Sequence, residues 1–95
     1  MTQDLLNWLY ERVEQKKGDD PSNSYTARLL AGSMAKMAQK VGEEAVETLI
    51  EALQGNREKL LEESADLLYH LMVLWSASGV TPDDVAQILY KRAEK

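Results

Sequence analysis

Two stretches with acidic residues at helical spacing are the part of this 95-residue sequence best suited to chemistry. The first reads Lys-Val-Gly-Glu-Glu-Ala-Val-Glu at residues 40–47, and the second reads Glu-Ser-Ala-Asp-Leu-Leu-Tyr-His at residues 63–70. At 3.6 residues per turn, Glu44 and Glu47 project from one face of a helix, and the two acids of the second stretch share a face in the same way. Because apolar residues surround both acidic stripes, we expect both helices to be substantially buried.

Buried carboxylates must be protonated, paired with a cation or bound to a metal. Lys40 is essentially the one basic residue near the first stripe, and it cannot neutralise the whole set. With no cysteine and a single histidine, the chain offers an oxygen-rich site, which favours a hard cation such as Mg²⁺ or Mn²⁺ over zinc. Carboxylate-bound magnesium commonly acts on substrate phosphates, so the residues indicate a magnesium-dependent enzyme with a phosphorylated substrate.

Composition restricts the classes of function. Eleven basic and sixteen acidic residues give a formal charge of −5, which argues against a nucleic-acid-binding surface. No signal-peptide pattern or membrane-length apolar run is present, so we expect a cytoplasmic protein with no membrane partner. The length predicts one domain over residues 1–95, small enough that dimerisation would help to stabilise it.

The elements that position the acidic stripes are all predicted to be helices. We expect an amphipathic first helix that ends near Gly18, a short helix over about residues 25–31, and a long one over 33–53 with a break at Gly32-Ser33. A helix over about 57–77, capped by Asn56 and stopped by Gly79, should be the most buried element. The last helix begins at Thr81-Pro82 and is predicted to bury Val85, Ile88 and Leu89. A glycine inside the long helix, Gly42, suggests close approach of another helix there. The fold class is therefore all-α: four main helices and a short one, in a bundle that dimerises.

The same stretches carry a resemblance to a known family. The spacing Glu-Glu-x-x-Glu at residues 43–47, then Glu-x-x-Asp at residues 63–66, resembles the signature of the all-α nucleotide pyrophosphohydrolase (MazG-like) superfamily. The Ser-Tyr-Thr-Ala-Arg-Leu stretch at residues 24–29 and the Asp-Leu-Leu-Tyr-His run at residues 66–70 are similar to one branch of it, the phosphoribosyl-ATP pyrophosphohydrolases.

The resemblance implies a reaction and an assembly. The reaction is magnesium-dependent hydrolysis of 1-(5-phosphoribosyl)-ATP to 1-(5-phosphoribosyl)-AMP and diphosphate, the second step of L-histidine biosynthesis. The assembly is a homodimer that binds a small-molecule nucleotide. A cyclohydrolase domain for the next step, fused to this one in many organisms, is not present here, so we expect that enzyme to be a separate chain.

The resemblance also assigns residues. It implies that Glu44, Glu47, Glu63 and Asp66 are metal ligands, for which a buried ion-pair network is the alternative. Glu43 would ligate a second ion or orient the attacking water, although helix geometry leaves an outer, solvated position open.

The remaining assignments each have a simpler structural explanation. Lys40 would act on substrate phosphate, or it would pair with Glu44. Ser24, Tyr25 and Thr26 would contact phosphate or the phosphoribosyl group at a helix start, although helix capping explains either hydroxyl nearly as well. His70 would be a partner of a ligating carboxylate, or it would be a core histidine.

Three other functions are alternatives to this one. A house-cleaning (deoxy)nucleoside triphosphate pyrophosphohydrolase would share the metal cluster and differ in its base pocket. A di-iron bundle typically needs two Glu-x-x-His motifs, which this chain lacks. A non-enzymatic helical dimerisation module would leave the carboxylates without a chemical role.

Overall fold

The computed structural model describes the backbone of residues 2–94 and the side chains of residues 5–94. The described residues form five helices and no strand, which confirms the all-α prediction. The helices are α1 (Thr2–Glu14), α2 (Tyr25–Ala31), α3 (Met34–Gln54), α4 (Arg57–Ser78) and α5 (Pro82–Ala93).

The helix boundaries follow local capping chemistry. Ser33 and Asn56 accept hydrogen bonds from backbone N–H groups in the first turns of α3 and α4, as N-caps do. Thr81 and Asp84 form a reciprocal capping box at the start of α5. Gly55 and Gly79 end α3 and α4 in the left-handed region, with φ of +71° and +72°, where a side chain would be strained.

The long helices α3 and α4 form an antiparallel hairpin joined by a two-residue connection, and this hairpin carries both acidic stretches. The short helix α2 packs against both of its arms, and α1 packs against α4 and α5. The core is a cluster of buried apolar side chains from four of the helices: Val13, Leu29, Met37, Met72 and Val73. Four residues of α4 are buried, the largest number in any described helix, although the short helix α2 buries a larger share of its residues.

A polar cluster ties α1 to α4 at the far end from the hairpin turn. The Lys17 ammonium lies 2.8 Å from the Glu14 carboxylate and donates to the backbone carbonyl of Ser76 at 3.2 Å. The buried Ser76 hydroxyl in turn donates to Glu14. The cluster therefore satisfies a polar group that would otherwise be buried without a partner.

The expectation that the first acidic helix is substantially buried is wrong for the single chain. Large apolar residues at helical spacing on α3 are exposed: Val46 (55%), Leu49 (62%), Ile50 (44%) and Leu53 (88%). We call these four the α3 apolar face. The physical reason is that α4 and α2 cover one side of α3 only, and no described helix lies against the other.

Two smaller expectations also need correction. The last helix was expected to bury Val85, Ile88 and Leu89, but Ile88 and Leu89 are more than half exposed and Val85 is half-buried. Gly42, which suggested a close helix–helix approach, is exposed, and a Cβ built there meets no atom within 4 Å among the described residues. None of the described helices is both long and apolar enough to cross a membrane.

Candidate active site

The hairpin brings carboxylates of the two acidic stretches together. Glu44 from α3 and Glu63 and Asp66 from α4 each place a carboxylate oxygen within 4.8 Å of the other two. Glu47 lies outside this mutually close set, but its side chain is a hydrogen-bond partner of both Glu44 and Glu63. We call these four residues the acidic cluster.

Like charges at this spacing favour protonation. The hydrogen bond with Glu47, aided by partial burial, raises the pKa of Glu63 to about 7. Burial and then the contact with Glu47 raise the pKa of Glu44. Within the protein alone, proximity of these carboxylates therefore favours a proton shared between Glu47 and its neighbours.

A neighbouring carboxylate supports the fit of a metal ion. Glu51, one turn beyond Glu47 on α3, has one buried carboxylate oxygen without a hydrogen-bond partner. Buried oxygens of this kind need a cation or a donor. The donor set is made of carboxylate oxygens alone, which suits Mg²⁺ or Mn²⁺ and does not suit a softer metal.

Lys40 and Glu43 are paired with each other. The Lys40 ammonium lies 3.4 Å from the Glu43 carboxylate, so the expected local pairing of Lys40 with Glu44 is replaced by this one. The neighbouring Tyr25, and next the hydrogen bond with Glu43, raise the pKa of Lys40. Gln39 also donates to Glu43 at 2.8 Å, and these contacts lower the pKa of that carboxyl. Glu43 is exposed beside the acidic cluster and is not part of it.

Two hydroxyl groups of the Ser-Tyr-Thr stretch, those of Ser24 and Thr26, have intramolecular partners. The Ser24 hydroxyl accepts from the backbone N–H of Ala27 at 3.1 Å, so it is the N-cap of α2. The Thr26 hydroxyl lies 2.5 Å from that of Tyr69 and links α2 to α4. Tyr25 is 46% exposed, which leaves its ring open to a ligand. Ser24 and Thr26 therefore hold the segment in position, and substrate contact by any of the three residues stays a prediction.

His70 lies in an aromatic cluster. It is buried and packs edge-on against the rings of Tyr69 and Tyr25, with centroid distances of 4.9 and 6.2 Å. Burial, followed by the charge of Lys40, lowers the pKa of His70. No hydrogen bond joins it to a carboxylate in the described part of the chain, so its assignment as a partner of a metal ligand stays a prediction.

Two basic residues that the sequence analysis does not single out, Arg28 and Lys36, lie beside Lys40. A cavity of about 340 Å³ is lined by Arg28, Lys36, Lys40, Tyr25, Leu29 and Gly32. We call it the cationic cavity. Lys36 and Lys40 stand four residues apart on α3, and Arg28 stands three residues after Tyr25 on α2. The spacing of these basic residues along each helix is visible in the sequence. The contact between α2 and α3 that brings them together is not.

The family model and the similar proteins that match this chain all point to the same family. The profile of phosphoribosyl-ATP pyrophosphohydrolase matches residues 6–93. Proteins named phosphoribosyl-ATP pyrophosphatase from Gluconobacter oxydans (strain 621H) and Azospirillum brasilense are each 54% identical over 88 residues, 93% of this chain. One from Granulibacter bethesdensis is 56% identical over 88 residues.

The match covers nearly all of this chain and a varying share of its relatives. The chain spans 66% of the Gluconobacter protein, 79% of the Azospirillum protein and 55% of the Granulibacter protein, so two of these relatives have more than a third of their length outside the match. The matched residues include both the acidic cluster and the Ser-Tyr-Thr stretch. The chain belongs to the phosphoribosyl-ATP pyrophosphohydrolase family.

Proposed function

We propose that this chain hydrolyses 1-(5-phosphoribosyl)-ATP to 1-(5-phosphoribosyl)-AMP and diphosphate, the second step of L-histidine biosynthesis. The observation that carries the proposal is the acidic cluster on α3 and α4, within a chain of this family. We further propose Mg²⁺ as its cofactor, with Mn²⁺ as a substitute.

The four residues of the acidic cluster would hold the metal. Glu44 and Glu47 come from α3, and Glu63 and Asp66 from α4, so the hairpin itself sets the geometry of the ligands. When bound, Mg²⁺ supplies positive charge for the phosphoryl oxygens of the substrate. Metal binding also requires these carboxylates to be ionised, which replaces their shared protons by a cation.

Lys40 and Glu43 have complementary tasks in the proposed reaction. A water oxygen bonds to the α phosphorus, and the bond from that phosphorus to the bridging oxygen breaks, its electron pair leaving with diphosphate. The contacts from Gln39 and Lys40 lower the pKa of Glu43 and so keep it ionised, as a group that orients or deprotonates water must be. The Lys40 ammonium donates to the phosphate oxygens, where negative charge accumulates.

A homodimer is the second part of the proposal. The α3 apolar face is a large exposed apolar surface for a chain of this size, and Leu61 on the neighbouring helix α4 is also exposed (54%). A second copy packed there would complete the burial that the sequence pattern predicts, and would do so next to the acidic cluster on the same helices.

The test is diphosphate release from phosphoribosyl-ATP by the purified protein, with and without Mg²⁺. Glu47→Gln should abolish the magnesium-dependent release. Glu62→Gln is a matched control, because Glu62 is exposed on α4 and lies outside the cluster. No release from phosphoribosyl-ATP, together with rapid release from dCTP or dUTP, would move the protein to the house-cleaning triphosphate pyrophosphohydrolases. No release from any of them would leave a helical dimerisation module.

A further inference from the structure

We propose that the cationic cavity binds the β- and γ-phosphates of the substrate, the pair that leaves as diphosphate, and that Arg28 and Lys36 are its specific ligands. The inference rests on the proposed function, since it assigns one part of that substrate to one surface. Arg28, Lys36 and Lys40 line the cavity, and no acidic side chain does. In a chain of net charge −5, such a lining selects for an anion.

Arg28 is held in position before any ligand arrives. One guanidinium nitrogen donates to the backbone carbonyl of Pro21 at 2.8 Å, and the guanidinium carbon lies 5.6 Å from the centre of the Tyr25 ring. A guanidinium has five N–H donors in a planar fork, so most of them stay available to phosphate oxygens. Because these contacts already hold the Arg28 side chain, it loses less conformational freedom on binding a ligand than a free arginine side chain would.

Lys36 and Lys40 project from the same side of α3 because they stand four residues apart. Like charges at this spacing destabilise a helix slightly unless an anion lies between them. Lys40 has Glu43 as a partner at 3.4 Å, whereas no ion pair within 4.0 Å is found for Lys36 among the described residues. A polyphosphate in the cavity would offset this repulsion.

The position of the cavity decides which phosphates it takes. Lys40 lines it and also contacts Glu43, the residue just before Glu44 of the acidic cluster. The reacting α phosphorus has to lie at that cluster, and the β- and γ-phosphates are bonded to it in direct succession. The 5′-phosphate of the phosphoribosyl group is separated from it by a purine and two ribose rings. The cavity beside the cluster therefore suits the leaving diphosphate.

The two reaction products separate the two ends of the substrate, so their binding tests the assignment. Binding of diphosphate and of phosphoribosyl-AMP, each with Mg²⁺, would be measured by calorimetry for wild type, Lys36→Gln and Arg28→Gln. Each variant should weaken diphosphate binding by about tenfold, as expected for the loss of a hydrogen bond to a charged group. Phosphoribosyl-AMP binding should stay unchanged. Lys59→Gln, with the same change of charge at an exposed site on α4, should alter neither.

The alternative outcomes are distinct. Weaker phosphoribosyl-AMP binding with unchanged diphosphate binding would overturn the assignment and place the other end of the substrate in the cavity. Unchanged binding of both would remove the cavity from the site. If wild type binds diphosphate through Lys36 and Arg28 but does not hydrolyse phosphoribosyl-ATP, the proposed reaction fails while the phosphate site stands. Circular dichroism of Arg28→Gln checks that its contact with Pro21 is not needed for folding.

Discussion

The side chain of Glu47 on α3 is the hydrogen-bond partner of Glu63 on α4, and this contact is the largest cause that raises the pKa of Glu63 to about 7. The ordinary value is 4.5. Around pH 6 the metal-free protein thus holds a proton that the unfolded chain would have released. A metal ion that binds there has to displace it.

Magnesium affinity should therefore depend on pH. As the pH falls from 8 to 6, it crosses the Glu63 pKa, and the affinity should fall by up to about tenfold per unit for one displaced proton. Calorimetric titration at pH 7, in two buffers with different ionisation enthalpies, counts the protons released. Equal heats in the two buffers would contradict the link between this carboxylate pair and the metal.

Removal of one cluster carboxylate should have opposite effects with and without metal. Asp66 raises the pKa values of Glu44 and Glu63 by its charge, so Asp66→Asn relieves repulsion and should not lower the melting temperature of the metal-free protein. At a magnesium concentration 100-fold above the dissociation constant, wild type should gain about 2.7 kcal/mol of stability, and the variant should lose most of this gain. Glu62→Gln, measured in parallel, should behave like wild type.

Two glycines should respond to alanine with opposite signs. Gly42 lies inside α3 with open space around its missing Cβ, so Gly42→Ala should stabilise the chain by about 0.5–1 kcal/mol. Gly79 ends α4 at a φ of +72°, so Gly79→Ala should destabilise it by about 1–2 kcal/mol. Denaturant unfolding measures the change in the free energy of unfolding for both variants. A loss of stability in Gly42→Ala would show that another surface approaches α3 there.

The contact between α1 and α4 should make stability sensitive to acid. Hydrogen bonds from Lys17 and then Ser76 lower the pKa of Glu14 below its ordinary 4.5. Because the folded-state pKa is the lower one, the ionised carboxylate stabilises the fold above pH 4.5, and this contribution is lost as the pH falls through the folded value. Between pH 6 and 3, the free energy of unfolding measured with denaturant should fall less steeply for Glu14→Gln than for wild type. Glu11→Gln, one helical turn earlier and exposed, should retain the wild-type slope.

The proposed homodimer should depend on the α3 apolar face. Leu49 is 62% exposed in the single chain, so Leu49→Glu is compatible with the monomer fold and should place a charge in the interface. Analytical ultracentrifugation should show a dimer for wild type and a shift to monomer for the variant. Gln15→Glu, at an exposed position outside this face, makes the same change of charge and should leave the dimer intact. A monomeric wild type would contradict the proposed assembly.

The sequence predicts the helices well because the signals that place them are local. Ser33, Asn56 and Thr81 cap the helices that follow them, and Gly79 ends α4 as its position indicates. The pairing of Glu44 with α4 carboxylates was also predictable, since a short connection makes the two helices antiparallel neighbours.

What the sequence does not predict depends on contacts between distant segments. Lys40 has two acids within reach along its helix, and the structure pairs it with Glu43. The bond between Ser76 and Glu14 joins residues 62 positions apart, for which no periodicity gives a signal. The exposure of Leu53 shows that an apolar helix face predicts a need for burial without identifying the surface that provides it.

The shortness of α2 has a consequence for how the molecule opens. Seven residues cannot sustain a helix in water, where even about 12–15 residues are marginal. The helix α2 therefore depends on contacts with its surroundings, among them the packing of Ala27 and Leu29 and the Thr26–Tyr69 hydrogen bond. Amide hydrogens of Tyr25–Ala31 should therefore exchange through a local opening, at a lower free energy than global unfolding. If a nucleotide binds between Arg28 and the acidic cluster as proposed, it would link this segment to α3, and amide exchange in α2 should become slower when the nucleotide is bound.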